Sequence, residues 1–158
     1  MTQQYIIFSV AGTAYALPTD QIAHVEMVHD VTRVPNAPRF VDGVVFSRGE
    51  VVPAVSLRAR FGFERAPHDV RTRLLVVRSG DRKVGLIVDS AREFLAIAGS
   101  AIKPPSDSMT GLSGEYLRGI ATVGDRLIVV LDLDAVLNAT EESLAAAATA
   151  AAHLQEKH

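Results

Sequence analysis

The chain contains no cysteine, and its histidines, carboxylates and serines are the residues whose spacing could point to chemistry. Without cysteine, a disulfide framework and thiolate metal sites are both excluded. The densest group of candidate ligands is His24, Glu26, His29 and Asp30. Two imidazoles share a helical face when they stand at i and i+4, and that spacing is missing here, as is a third ligand. Gly111-Leu112-Ser113-Gly114 begins like a nucleophile elbow, but Glu115 stands where the closing glycine belongs, which leaves Ser113 as a loop serine. Asp132 and Asp134, two apart on an expected strand, share one face of a hairpin instead of opposing each other across a cleft. They read as outward-facing polar positions. A phosphate-cradling glycine loop with an adjacent lysine is missing too. The chain is therefore expected to be no enzyme, to need no cofactor or metal, and to work as a binding module.

The elements that would position a binding surface are strands. Gly43 to Leu57 reads GVVFSRGEVVPAVSL. Val44 and Phe46 alternate before Ser47-Arg48-Gly49-Glu50, and Val51, Val52 and Val55 resume after it, so a hairpin is predicted. Gly119 to Leu133, GIATVGDRLIVVLDL, repeats the pattern at the same Gly-to-Leu spacing. Upstream, Phe8 to Leu17 and Val76 to Leu86 each read strand, glycine turn, strand, with Asp20 and Asp89 three residues past the last leucine. Matching pieces in matching order imply two copies of one unit of about seventy residues.

With 158 residues and 48% apolar content the chain can bury a real core. A net charge of −2 offers no global field for nucleic acid, although Arg58 to Lys83 holds eight basic residues against three acidic ones. The first apolar run, Tyr5 to Val10, is too short for a signal peptide, and no run approaches the length of a membrane span. A cytoplasmic protein without direct membrane insertion is expected.

Along the chain, Pro18 leads into a turn and then a strand through Ile22, Val25 and Val28, and Asp30 to Pro38 is an extended loop because Pro35 and Pro38 cannot donate to a ladder. One helical turn is expected at Ala37 to Asp42. Ser56 to Phe63 is read as a continuing strand with Arg58 and Arg60 facing outward, and Glu64 to Arg71 as the linker between the two units. The expected organisation is one domain over 1–138, with a first barrel at about 5–67 and a second at about 72–138. An Ala-rich helix over 139–158 follows, with Thr140 as N-cap, Glu141 and Glu142 in its first turn, and Lys157 and His158 at its end.

The hairpin GVVFSRGEVVPAVSLRARF resembles the GVxNLRGxVVPVVDLRxxF signature of the CheW-like chemotaxis coupling proteins. The resemblance takes in FSVAGTAYALPTDQIAHV, KVGLIVDSAREFL, and IKPP followed by YLRGIATVGDRLIVVLDLDAVL, in family order over nearly the whole chain. It implies a mainly β fold of two packed, SH3-like five-stranded barrels, and a non-catalytic scaffold. It implies two partners: the cytoplasmic tip of a chemoreceptor (a methyl-accepting chemotaxis protein), and the regulatory domain of the histidine kinase CheA. A receptor helix would enter an apolar groove between the barrels.

Position by position, Ile22, Val25, Gly43, Arg48 and Gly49 match the receptor-facing segment, and Leu74 and Gly85 are the kinase-side nominees. Gly43 would permit close backbone approach and Arg48 would offer a fork of donors at the groove edge. The chain departs from the pattern at Phe46-Ser47 for Asn-Leu, at Ser56 for Asp, at His24 for an acidic residue, and at Arg73 for an apolar one. An accessory coupler that binds receptor without kinase is the alternative within the family. A nucleic-acid-binding barrel is the alternative outside it, disfavoured by the charge and by only nine aromatic residues, three Tyr and six Phe. A monomer or weakly self-associating protein is expected.

Overall fold

Four two-residue turns shape the chain. Val10 faces Thr13 across Ala11-Gly12, Ser47 faces Glu50 across Arg48-Gly49, Ser79 faces Arg82 across Gly80-Asp81, and Val123 faces Arg126 across Gly124-Asp125. The first two carry positive φ at both central residues, as type I′ turns do, and the last two at the first central glycine only, as in type II′. Both types match the right-handed twist of the flanking strands.

The structure is a computed structural model and describes residues 2–104 and 116–138; the expected Ala-rich helix lies outside them. In order, the elements are β1 (Thr2–Val10), β2 (Thr13–Pro18), β3 (Ile22–Met27), β4 (Val41–Ser47), β5 (Glu50–Ser56), α1 (Leu57–Arg60), β6 (Arg73–Ser79), β7 (Arg82–Val88), β8 (Ser90–Ala98), β9 (Ile102–Lys103), β10 (Leu117–Val123), β11 (Arg126–Leu131) and α2 (Leu133–Asn138). They form two sheets, one ordered β8-β1-β2-β11-β10-β9 and the other β3-β6-β7-β5-β4. The mainly β, two-unit architecture is the expected one, with a two-residue β9 as the sixth strand of the larger sheet. The turn at Thr19–Gln21 leading into β3 is also as expected.

The chain does not divide where the repeat predicts. The smaller sheet uses residues 22–88, and the larger is assembled from 2–18 and 90–131. Each copy's opening hairpin pairs with the other copy's closing hairpin: β2 runs parallel to β11 through Tyr15↔Val129, and β7 runs parallel to β5 through Gly85↔Ala54. The barrel boundaries expected at about 67 and 72 are thus replaced by an exchange, and Glu64 to Arg71 connects two strands of the same sheet.

Nor is there an empty seam. Each sheet has its own inner core, with Ile7, Ala16, Ile128 and Val130 in one and Val45, Ala54, Leu74 and Val76 in the other. Their opposite faces meet in a third and larger core that includes Ile6, Phe8, Leu17, Leu75, Leu86 and Leu131. An aromatic run crosses it, from Phe8 to Tyr15 at 6.0 Å, Tyr15 to Phe61 at 5.2 Å and Phe61 to Tyr116 at 5.7 Å between ring centres. The apolar groove expected between the barrels is filled by the protein's own side chains, because two sheets with apolar outer faces bury more area against each other than either could against water.

Ser56 to Phe63 turns as a helix instead of continuing as a strand. Ser56 Oγ caps α1 by accepting from Ala59 N–H at 3.2 Å, and Leu57 and Phe61, four apart, fall on the same buried side. Arg58 and Arg60 consequently do not face outward. Arg60 donates to the Val136 carbonyl at 3.0 Å and to Tyr116 Oη at 2.5 Å, and its guanidinium lies 4.8 Å from the Phe40 ring centre. The expected helical turn at Ala37 to Asp42 is a tighter one, closed by Val41 N–H donating to the Pro38 carbonyl at 2.9 Å.

Asp89 ties the sheets together. It sits between β7 and β8, accepts Arg58 Nε at 2.8 Å and Nη2 at 2.6 Å, and accepts Ala11 N–H at 2.8 Å, while its own N–H donates to the Ser9 carbonyl at 2.9 Å. Burial is the largest single influence and opposes the carboxylate. The Arg58 fork, its charge and the Ala11 N–H together outweigh burial and hold the carboxyl below its ordinary value.

Two outcomes test this account. An acid titration of stability should show Asp89 stabilising the fold above the ordinary aspartate range. A depressed folded pKa means that this contribution is lost as pH falls through it, so Asp89→Asn should be less stable than the parent near neutrality and converge with it in strong acid. Gly43→Ala should lower stability by roughly 3 kcal/mol in a urea melt, because Gly43 has φ +148° and a Cβ there would stand 2.1 Å from the Thr32 carbonyl oxygen.

Candidate functional site

The β4–β5 hairpin differs in chemistry from its counterpart in the second copy at the turn. Gly124 occupies the first turn position of the second copy, with φ +63°, whereas the equivalent position of the first copy is Arg48, held at φ +48°. A side chain in the left-handed region costs about 1 kcal/mol, so arginine is a poor choice for the turn itself. Its guanidinium is exposed and makes no hydrogen bond or ion pair with the described residues. Ala11 also has positive φ, but its N–H is fixed by Asp89, so that turn has a structural partner. Gly49 follows at φ +82°, exposed beside Arg48.

Next to Arg48 is an apolar side chain that the sequence offered only as a departure from the family pattern. Phe46 is 65% exposed, on the face of β4 opposite Ser47. Val44, on the same face, is covered by Val34 from the crossing loop, and Val51 stands opposite Phe46 on β5. Phe46 is the uncovered end of that apolar row.

The edge strands β3 and β4 are joined by side chains. His24 Nε2 lies 2.8 Å from Ser47 Oγ and 2.9 Å from Glu26 Oε2, and Ser47 Oγ donates to Glu26 at 3.0 Å. Ser47 is 4% exposed, so this Ser-His-Glu triangle closes the barrel and offers no reachable nucleophile. Two departures from the family pattern therefore explain each other: a buried serine in place of leucine needs a partner, and His24 supplies it. No group of three metal-ligating side chains occurs among the described residues.

Among the nominated receptor-facing residues, Val25 on β3 and Arg48 in the β4–β5 turn each stand one residue from the two side chains, His24 and Ser47, that are bonded across the edges. Ile22 and Val25 are half-buried against the shared core, at its rim on β3. Gly43 is buried, and the backbone that approaches it is the chain's own. Thr32 N–H donates to the Val44 carbonyl at 2.9 Å and Val44 N–H to the Thr32 carbonyl at 2.8 Å. Gly43 therefore belongs to the scaffold beneath the site.

The kinase-side nominees are corrected outright. Leu74 is 1% exposed, and a Cβ on the buried Gly85 would lie 2.7 Å from Leu74 Cδ1, so the two residues are a packing pair inside the smaller barrel. A partner cannot touch either. Arg73 is engaged locally, donating to the carbonyls of Val70 at 2.8 Å and Thr72 at 2.9 Å.

Much of the basic stretch is spent internally as well. Arg58 pairs with Asp89, Arg65 with Asp42, Arg71 with Asp69 and Lys83 with Glu50. Ser56, where the family has aspartate, caps α1 as Asp132 caps α2, the latter accepting Ala135 N–H at 3.3 Å. Asp132 and Asp134 thus belong to a helix start, not to the strand face read from the sequence.

The family model described as CheW-like domain matches residues 4–141. The chain is 30% identical to the chemotaxis protein CheW of Klebsiella aerogenes, with 90% of this chain and 86% of that one covered. It is 33% identical to the Helicobacter pylori protein of the same name, covering 85% and 81%. Among solved structures, the scaffolding protein TtCheW from Thermoanaerobacter tengcongensis superposes with a TM-score of 0.80 at 28% identity, covering 87% of this chain and 93% of that one. Duplicated hairpins, two fused barrels and similarity over residues 4–141 agree, and the chain belongs to the CheW-like domain family.

Proposed function

We propose that this protein is a scaffold that couples chemoreceptors to the histidine kinase CheA, and that the β4–β5 hairpin tip with the adjoining edge of β3 is its receptor-facing surface. The observation that carries the assignment of the surface is Arg48. An arginine at a left-handed turn position, exposed and without a hydrogen-bond or ion-pair partner among the described residues, is a local sacrifice of stability that the second copy avoids with Gly124. Such strain concentrates where a side chain is needed for something other than folding. Phe46 supplies the apolar contact beside it. A helical receptor tip would lay an apolar stripe along Phe46 and the β3 rim at Val25, and Arg48 would take an acidic or carbonyl group at the edge.

A filled seam and tied barrels suit a part that works by holding others in place. Among the described residues no helix is long and apolar enough to cross a membrane. We assign the protein to the cytoplasmic side, at the receptor tips.

Co-sedimentation with receptor tip helices and the kinase regulatory domain in reconstituted arrays should recover a ternary complex. Arrays amplify weak contacts through effective concentration, so this is the decisive format. No recruitment to either partner would sink the coupling role, and recruitment to receptor alone would leave an accessory coupler. Arg48→Asn should separate function from stability. Asn-Gly is the preferred type I′ pair, so the variant should melt no lower than the parent and gain about 0.5 kcal/mol, yet bind receptor at least about fivefold more weakly. Unchanged receptor affinity would remove Arg48 from the surface.

A further inference from the structure

The loop that crosses from β3 to β4 also walls a cleft of about 510 Å3, the size of a small-molecule site. Its backbone is fixed by the paired bonds between Thr32 and Val44, by Val34 at 9% exposure, and by the turn bond from Val41 N–H to the Pro38 carbonyl. Val34 and Pro38 give the cleft an apolar wall, and Arg33, Arg39, Arg65 and His68 give it a basic one. Asp42 is the single carboxylate among the described residues that line it, and Arg65 already pairs with it, Nε donating at 2.7 Å. Arg65 Nη2 also donates to the Arg39 carbonyl, which fixes the rim.

The guanidinium groups of Arg33 and Arg39 remain without a hydrogen-bond or ion-pair partner among the described residues. Nothing in the loop's own bonding requires arginine at either position. Two such forks on one preformed cleft, with the one carboxylate among its described lining residues already paired, favour a doubly charged anion over water. The apolar wall beside them favours a ligand with a carbon body.

We infer that this cleft is a binding site for a small phosphomonoester, the phosphate held by the Arg33 and Arg39 forks and the organic part laid on Val34 and Pro38. The site is separate from the hairpin tip: it lies on the crossing loop and the 65–68 segment, and Arg48 does not line it.

Calorimetry of the full chain at low salt, with amide NMR alongside, tests this using phenyl phosphate, inorganic phosphate and phenol. Phenyl phosphate should bind one-to-one and shift amides in 31–42 and 65–68. It should bind at least about fivefold tighter than inorganic phosphate, and phenol should not bind measurably. Arg33→Gln and Arg39→Gln, at exposed positions, should each weaken binding about tenfold with an unchanged melting temperature, and Lys at either position should restore part of it. The inference is overturned by no saturable binding of phenyl phosphate at about 10 mM, by inorganic phosphate matching it, by shifts elsewhere on the protein, or by Gln variants that bind as the parent does.

Discussion

Two short parallel ladders hold this molecule in its form. Ala54, Val55 and Ser56 pair with Gly85, Leu86 and Ile87, while Tyr15 and Ala16 pair with Val129 and Val130. Each ladder joins a hairpin from one half of the chain to a hairpin from the other half, so neither barrel exists until both halves have contributed. The shared core follows from this arrangement. Once the hairpins are exchanged, the remaining apolar faces of the two sheets can only meet each other, and Phe8, Tyr15, Phe61 and Tyr116 fill the space between. Asp89 then fixes the angle, with one carboxylate gripped by the arginine of α1 and the backbone of the first turn.

On this rigid support, the surface features are few and local. The hairpin tip holds a charged side chain in a conformation its backbone disfavours, next to a phenylalanine that the crossing loop leaves uncovered. The crossing loop, seated against Gly43, shapes a second and chemically different surface. The same glycine therefore supports both, and its counterpart Gly119 is approached in the same way by the Lys103 carbonyl, where a Cβ would stand 2.6 Å away. Both glycines also mark a shift of register in their hairpins, between Val41 and Gly43 and between Leu117 and Gly119.

The turns, hairpins and duplication were legible in the sequence because glycine placement and period-two apolar patterning are local signals. The exchange was not. Val55 and Val129 announce that a strand wants a neighbour, but two similar copies offer equally suitable ones. Ser56 to Leu57 misled because the family-like run of valines before it continues smoothly, although Leu57 and Phe61 four apart were a helical sign. For the site, Arg48 was visible as an anomaly, whereas the bond between His24 and Ser47 joins residues too distant in sequence to be read together. Leu74 and Gly85 failed because motif position says nothing about which face of a strand is buried; alternation along LLVV, all of it buried, gave no outward side to find.

The exchange also orders events at the ribosome. The smaller sheet is built from one uninterrupted stretch and can close as soon as β7 has emerged. β1 and β2 appear first, yet β2 lacks its outer neighbour until β11, near the far end of the described chain, is released. During that interval Ile6, Phe8 and Leu17, all buried at the end, have only part of their cover. Nascent chains of this architecture thus pass through a stage with an oily ribbon waiting for its mate, the circumstance in which chaperones bind and neighbouring copies swap strands.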